Sequence, residues 1–209
     1  MARKKRIWYP GATYHVMSRG SRRGEIFHDE DDRMLFLQII EIIKKKYPFA
    51  IHSLCLMTNH FHIAVETGDV ELWKIMQKIL GCYAEEYNYR HNSTGHLFEG
   101  RYTSCLIRDD RYFLEVSRYI HMNPVKAKMV GNPLEYAYSS YAAFVGRGAD
   151  ADGSPAGGLI SDLVDTSRVL SYFGCDSREQ YRLFVEGSMS HTDQEDLIQK
   201  DMGEDDMWI

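Results

Sequence analysis

The chain has 209 residues, 44% of them apolar and 12% aromatic, enough to bury a sizeable core as one domain with an appendage. No run approaches the ~18 uninterrupted apolar residues of a membrane span. The basic start Arg3-Lys4-Lys5-Arg6 leads into Trp8-Tyr9-Pro10 rather than into a signal peptide's apolar stretch, so a cytoplasmic protein without a membrane partner is expected.

The net charge of −5 hides a split. Residues 1–148 hold 21 Lys+Arg against 16 Asp+Glu, whereas residues 149–209 hold 4 against 14. The first 23 residues carry seven bases (Arg3, Lys4, Lys5, Arg6, Arg19, Arg22, Arg23) and no acid. Such a segment suits a polyanion, with Trp8, Tyr9 or Tyr14 available to stack on bases, and a merely solvated basic terminus reads equally well. Cys55, Cys82, Cys105 and Cys175 are spread without close pairs, which predicts reduced thiols rather than disulfides or a zinc knuckle.

In chain order, Ala12 to Arg19 is rich in β-formers and predicts a first strand, followed by a loop at Ser21-Arg22-Arg23-Gly24. Asp29 to Lys46 has apolar residues at helical spacing, acids at its start and lysines at its end, the charge order that favours a helix dipole. Phe49 to Met57, nearly apolar on both faces, predicts a central strand. The short Thr58-Asn59 turn then makes Phe49 to Thr67 a hairpin. Asp69 to about Tyr89 predicts a second helix with Asp69 as cap, and Gly100 to Arg108 a fourth strand. A third helix runs from Arg111 to about Met122, where Asn123-Pro124 should end it.

The order β-α-β-β-α-β followed by α predicts an α+β, ferredoxin-like split βαβ fold: an antiparallel sheet with two helices on one face and one extra helix. Residues 1–145 form the domain. Residues 146–158, rich in Gly, Ala and Asp, read as a linker. Residues 159–209 read as a short helical, acidic extension, with helices at Ser167 to Phe173 and from Ser177, where Ser177 and Gln180 have capping-box spacing. Asp193 to Asp206 reads as a solvated acidic tail.

On the third strand, His60 and His62 flank Phe61. Alternation sends both imidazoles to one face and Phe61, Ile63 and Val65 into the core. Two neutral imidazoles side by side suit a divalent metal, and two exposed strand histidines would read the same way. On the third helix, Tyr119 and Asn123 are four apart and share a face only if the helix continues to Pro124.

These motifs together resemble those of the single-tyrosine transposases of the HUH (His-hydrophobe-His) superfamily, and within it the REP-associated tyrosine transposases of bacteria. The resemblance rests on His60-Phe61-His62 and Tyr119-Ile-His-Met-Asn123-Pro124-Val125. It extends to Tyr14-His15-Val16, Arg19-Gly20, Met57-Thr58-Asn59 and Arg101-Tyr102, and covers about Ile7 to Tyr141. It implies a Mg²⁺ or Mn²⁺ ion held by His60, His62 and Asn123. Tyr119 would be the nucleophile that cleaves single-stranded DNA to a 5′-phosphotyrosyl link and a free 3′-hydroxyl, which another strand's 3′-hydroxyl reverses.

The basic segment, with Arg3, Lys4, Lys5, Arg6, Trp8, Arg19, Arg22 and Arg23, would then hold single-stranded or hairpin DNA. The protein would be bacterial and nucleoid-associated when bound, and a homodimer stays open. The chemistry is consistent: a phenol with a pKa of ~10 is a weak nucleophile at neutral pH and needs an electrophilic partner for the phosphate. Two histidines and an amide are softer than Mg²⁺ prefers, so Mn²⁺ is expected to bind more tightly. The rivals are a non-catalytic nucleic-acid-binding module and a metal-dependent nuclease in which water attacks.

Overall fold

A computed structural model describes residues 7–147 and 155–187. Four strands, β1 (Thr13–Arg19), β2 (Phe49–Leu56), β3 (His60–Thr67) and β4 (Thr103–Ile107), form one sheet in the order β2-β3-β1-β4. Every neighbouring pair is antiparallel, which is the expected ferredoxin-like arrangement. Among the described residues no helix is long and apolar enough to cross a membrane.

Helices α1 (Glu30–Lys46) and α2 (Leu72–Arg90) cover one face. Phe36 of α1 meets Phe61 of β3 and Tyr83 of α2, each at 5.0 Å between ring centroids, so the odd-numbered residues of β3 do enter the core. Asp29 caps α1 by accepting from the Asp32 backbone N–H, and Lys44, Lys45 and Lys46 fill its last turn. At α2 the expectation fails: the helix opens at Leu72, Glu71 takes the cap position without a side-chain bond, and Asp69 caps nothing. β4 is shorter than expected, because residues 99–101 bend before the ladder with β1 begins at Thr103.

α3 (Asp110–Lys126) lies on the opposite face of the sheet. It runs through Pro124 instead of stopping at Met122. Proline removes one backbone donor and biases its predecessor away from the helix. Here Asn123 and Pro124 are both buried, and the Ala127 N–H still reaches the Asn123 carbonyl at 2.9 Å. Tertiary burial outweighs the local bias.

The last elements are α4 (Tyr141–Phe144), which sequence periodicity did not reveal, α5 (Pro155–Leu163), α6 (Ser167–Leu170) and α7 (Ser177–Glu186). α5 begins inside the expected linker and packs on α1. The expected capping box is absent: Ser177 is the first residue of α7, and Asp176, at φ 58°, precedes it without a side-chain cap. Nor is this region a mere appendage, since Ile160, Val169, Tyr181 and Val185 join the main core.

Together with the segment before α4 it also covers the outer edge of β2: the Asp165 N–H donates to the Ile51 carbonyl at 2.8 Å, and the Leu56 N–H to that of Tyr138 at 2.9 Å. The acidic segment from Asp193 to Asp206 lies outside the described residues. Cys55 and Cys105 are buried, Cys82 is half-buried and Cys175 exposed, and none of the four is in a disulfide.

Candidate active site

The pleat of β3 and the continuity of α3 bring two motifs to one place. His60 and His62 project from β3 towards α3, and an unbroken helix puts Tyr119 and Asn123 one turn apart on the surface facing them. All four line a cleft of about 390 Å³. The Tyr119 ring is half-buried and stands edge-on to His62, with centroids 5.4 Å apart at 86°, and to His15, at 5.7 Å and 71°. Lys126 Nζ lies 4.8 Å from the Tyr119 ring centroid.

The histidines have defined roles for their ring nitrogens. The Asn59 amide nitrogen donates to the Arg23 carbonyl at 3.0 Å, which fixes the amide orientation and leaves Oδ1 to face His60 Nδ1 at 2.7 Å. His60 therefore donates from Nδ1 and keeps its lone pair on Nε2. His62 Nδ1 is engaged by His15 Nε2 at 3.0 Å, so Nε2 is its remaining nitrogen.

Burial, helped by the nearby Arg19 charge, lowers the His60 pKa to about 4. Burial and the neighbouring imidazoles push that of His62 well below its ordinary value. Both rings are thus neutral at neutral pH, the form that ligates a metal. The Asn123 amide nitrogen makes a long 3.4 Å contact with the Tyr119 carbonyl, which leaves its oxygen to act as an acceptor.

Two neutral imidazoles with engaged Nδ1 atoms and an amide oxygen fit a divalent cation. No cluster of three or more His, Cys, Asp or Glu side chains suited to a metal occurs among the described residues, so any such site depends on the Asn123 amide.

The basic residues divide. Arg23 and Arg101 are exposed and line the cleft. Arg19 lines it too, but its Nε and Nη2 bind Glu99 Oε2 at 3.1 and 2.9 Å. Arg22, at φ 55° in a 3-10 turn spanning Ser21–Arg23, is exposed yet outside the cleft. Trp8 is not at the site: its Nε1 donates to Thr67 Oγ1 at 3.2 Å, at the far end of β3 from His60, and its half-buried ring packs on the core. Arg3, Lys4, Lys5 and Arg6 lie outside the described residues.

Sequence reasoning gave no task to His15, Asn59, Glu99 or Lys126. For His15 a signal existed, because on β1 it shares the face of Arg19, but only the strand register shows that it meets His62.

A family model described as "Transposase IS200 like" matches residues 9–123. Among solved structures, the chain is similar to a REP-associated tyrosine transposase bound to a REP hairpin. Identity there is 19%, with a TM-score of 0.60 over 70% of this chain and 87% of the other. At that identity the likeness establishes the fold. A candidate transposase from Deinococcus radiodurans R1 aligns at 17% identity over 57% of this chain and 95% of the other, with a TM-score of 0.41, too loose to bear on the fold. No curated protein sequence matches.

Proposed function

The chain belongs to the IS200-like transposase family, and from that premise we propose that it cleaves and rejoins single-stranded DNA, next to hairpins, through a covalent bond to Tyr119. The observation that carries this reading is the placement of the Tyr119 ring 5.4 Å from the His62 imidazole in a cleft that also holds His60 and Asn123. The solved relative's binding to a REP hairpin makes hairpin DNA the substrate class to test first.

In the proposed reaction the Tyr119 phenolic oxygen attacks a backbone phosphorus. The phosphorus–O3′ bond breaks, the phenol gives up its proton, and the departing O3′ takes one up, leaving a 5′-phosphotyrosyl link and a 3′-hydroxyl. One phosphodiester is exchanged for another, so the bond energy is kept for rejoining and no nucleotide cofactor is required. His60 and His62 through Nε2, and Asn123 through Oδ1, would hold Mg²⁺ or Mn²⁺. When bound, such an ion polarises the scissile phosphate. Lys126, above the Tyr119 ring, offsets negative charge that develops at the reaction centre. Arg23 and Arg101, at the cleft, hold the strand by its phosphates.

The test is incubation with Mn²⁺ and a hairpin carrying single-stranded flanks, read on a denaturing gel. A protein–DNA adduct is expected, lost in Tyr119→Phe, in His60→Ala, in His62→Ala and with chelator. An adduct that persists in Tyr119→Phe removes the assigned nucleophile. Cleavage without an adduct makes the protein a nuclease that uses water, and binding without cleavage makes it a recognition module.

A further inference from the structure

We propose that His15 is a positioning residue for the site: when His62 takes up a cation, His15 Nε2 accepts the Nδ1–H of His62 and so supports the tautomer whose Nε2 lone pair faces the cleft. The inference rests on the metal-holding role given to His62 above. It starts from the register of β1 and β3, which places Met17 opposite His62 and Ala64 opposite His15, so that the two histidines are diagonal neighbours on the face beneath α3. Their rings stack at 5.2 Å and 27°, with His15 Nε2 3.0 Å from His62 Nδ1.

An imidazole at the middle of a sheet is costly, and His15 is only 1% exposed. Among the described residues its Nδ1 has no partner, so its one side-chain hydrogen bond there is the one to His62. A buried polar atom without a partner calls for a reason. The tautomers supply one.

A neutral imidazole carries one proton. If His62 is to offer a lone pair from Nε2, its proton sits on Nδ1 and needs an acceptor, which is His15 Nε2. The His15 proton must then sit on the unpartnered Nδ1. In the reverse pattern His15 donates from Nε2, its Nδ1 keeps only a bare lone pair, and His62 turns an N–H towards the cleft. An orphan acceptor is more readily tolerated than an orphan N–H, so the reverse pattern is favoured while His62 has no ligand. Cation capture therefore moves both protons between nitrogens of their own rings, with no change in net charge. The His15 ring also abuts Tyr119, so the same side chain backs both halves of the site.

The experiment measures Mn²⁺ binding by calorimetry on the full chain without DNA. His15→Phe keeps a ring against His62 and Tyr119 but removes the acceptor, and is expected to weaken Mn²⁺ about 10- to 100-fold. His15→Gln restores an amide oxygen and should recover most of that loss. Phe-variant affinity within about twofold of wild type overturns the inference while leaving the metal role of His62 standing. A wild-type chain that binds no Mn²⁺ overturns both. Should His15→Phe fail to fold, ¹⁵N spectra of the wild-type histidines titrated with Mg²⁺ decide: both Nδ1 atoms should become protonated, and unchanged tautomers refute the proposal.

Discussion

Tyr181 and His121 meet through a single hydroxyl: the Tyr181 oxygen lies 2.7 Å from His121 Nδ1 and 2.7 Å from Ser117 Oγ, all three side chains being fully buried. His121 Nε2 continues the chain to Ser140 Oγ at 2.8 Å. α7, outside the family-matched residues 9–123, is thereby bonded to the side of α3 turned away from Tyr119. Removing the hydroxyl in Tyr181→Phe leaves two buried polar atoms without a partner. A loss of about 1–3 kcal/mol is expected in urea denaturation, and a loss below about 0.5 kcal/mol would mean the network contributes little.

The same histidine makes stability depend on pH. Burial lowers the His121 pKa from 6.5 to about 3, so between those values the unfolded chain holds a proton that the folded chain refuses. The contribution is fully present above pH 6.5 and is lost as pH falls towards 3. At pH 5 the loss from this one group is about 2 kcal/mol. His121→Phe removes it, so the fall in stability between neutral pH and pH 5 should be smaller than in wild type by that amount. Equal slopes from chemical denaturation would contradict the assignment.

A single copy of the chain suffices to bring the Tyr119 and His62 rings into edge-to-face contact, and α3 is bonded to the rest of the fold by Tyr181 and by Arg118, which donates to the Gly187 carbonyl. If the reaction proceeds as proposed, the tyrosine acts on the site of its own subunit. Mixing Tyr119→Phe with His62→Ala should therefore give no adduct. Recovery of adduct in the mixture would show that helices exchange between subunits.

The parts of this site that were legible in the sequence are those governed by local geometry. Alternation around Phe61 places His60 and His62 on one face whatever the rest of the chain does, and helical spacing links Tyr119 to Asn123. What local rules cannot supply is the outcome of packing. Pro124 carries a local bias that would end α3 before Asn123, and burial of both residues overrides it. His15 becomes part of the site only through a register between strands some 45 residues apart. Tyr181 reads as one apolar position of a short amphipathic helix, and its hydroxyl acquires meaning only against Ser117 and His121. The terminal region resembled an appendage because its gain comes from docking on α1 and α3.

Glu99 lines the same cleft as His60, His62 and Tyr119. Its carboxylate sits in the cleft proposed for DNA, bound to Arg19, whose side chain is only 10% exposed against 41% for Glu99. A carboxylate there opposes phosphate binding and neutralises an arginine that faces the same space. Glu99→Gln should raise the cleft's charge by one, tighten binding of a single-stranded oligonucleotide several-fold at low salt, and steepen the slope of log affinity against log salt by about 0.7. Fluorescence anisotropy over a salt series reads both quantities. Weaker binding with an unchanged slope would show instead that the carboxylate accepts hydrogen bonds from base edges, because losing a base contact costs affinity without altering the number of phosphates neutralised.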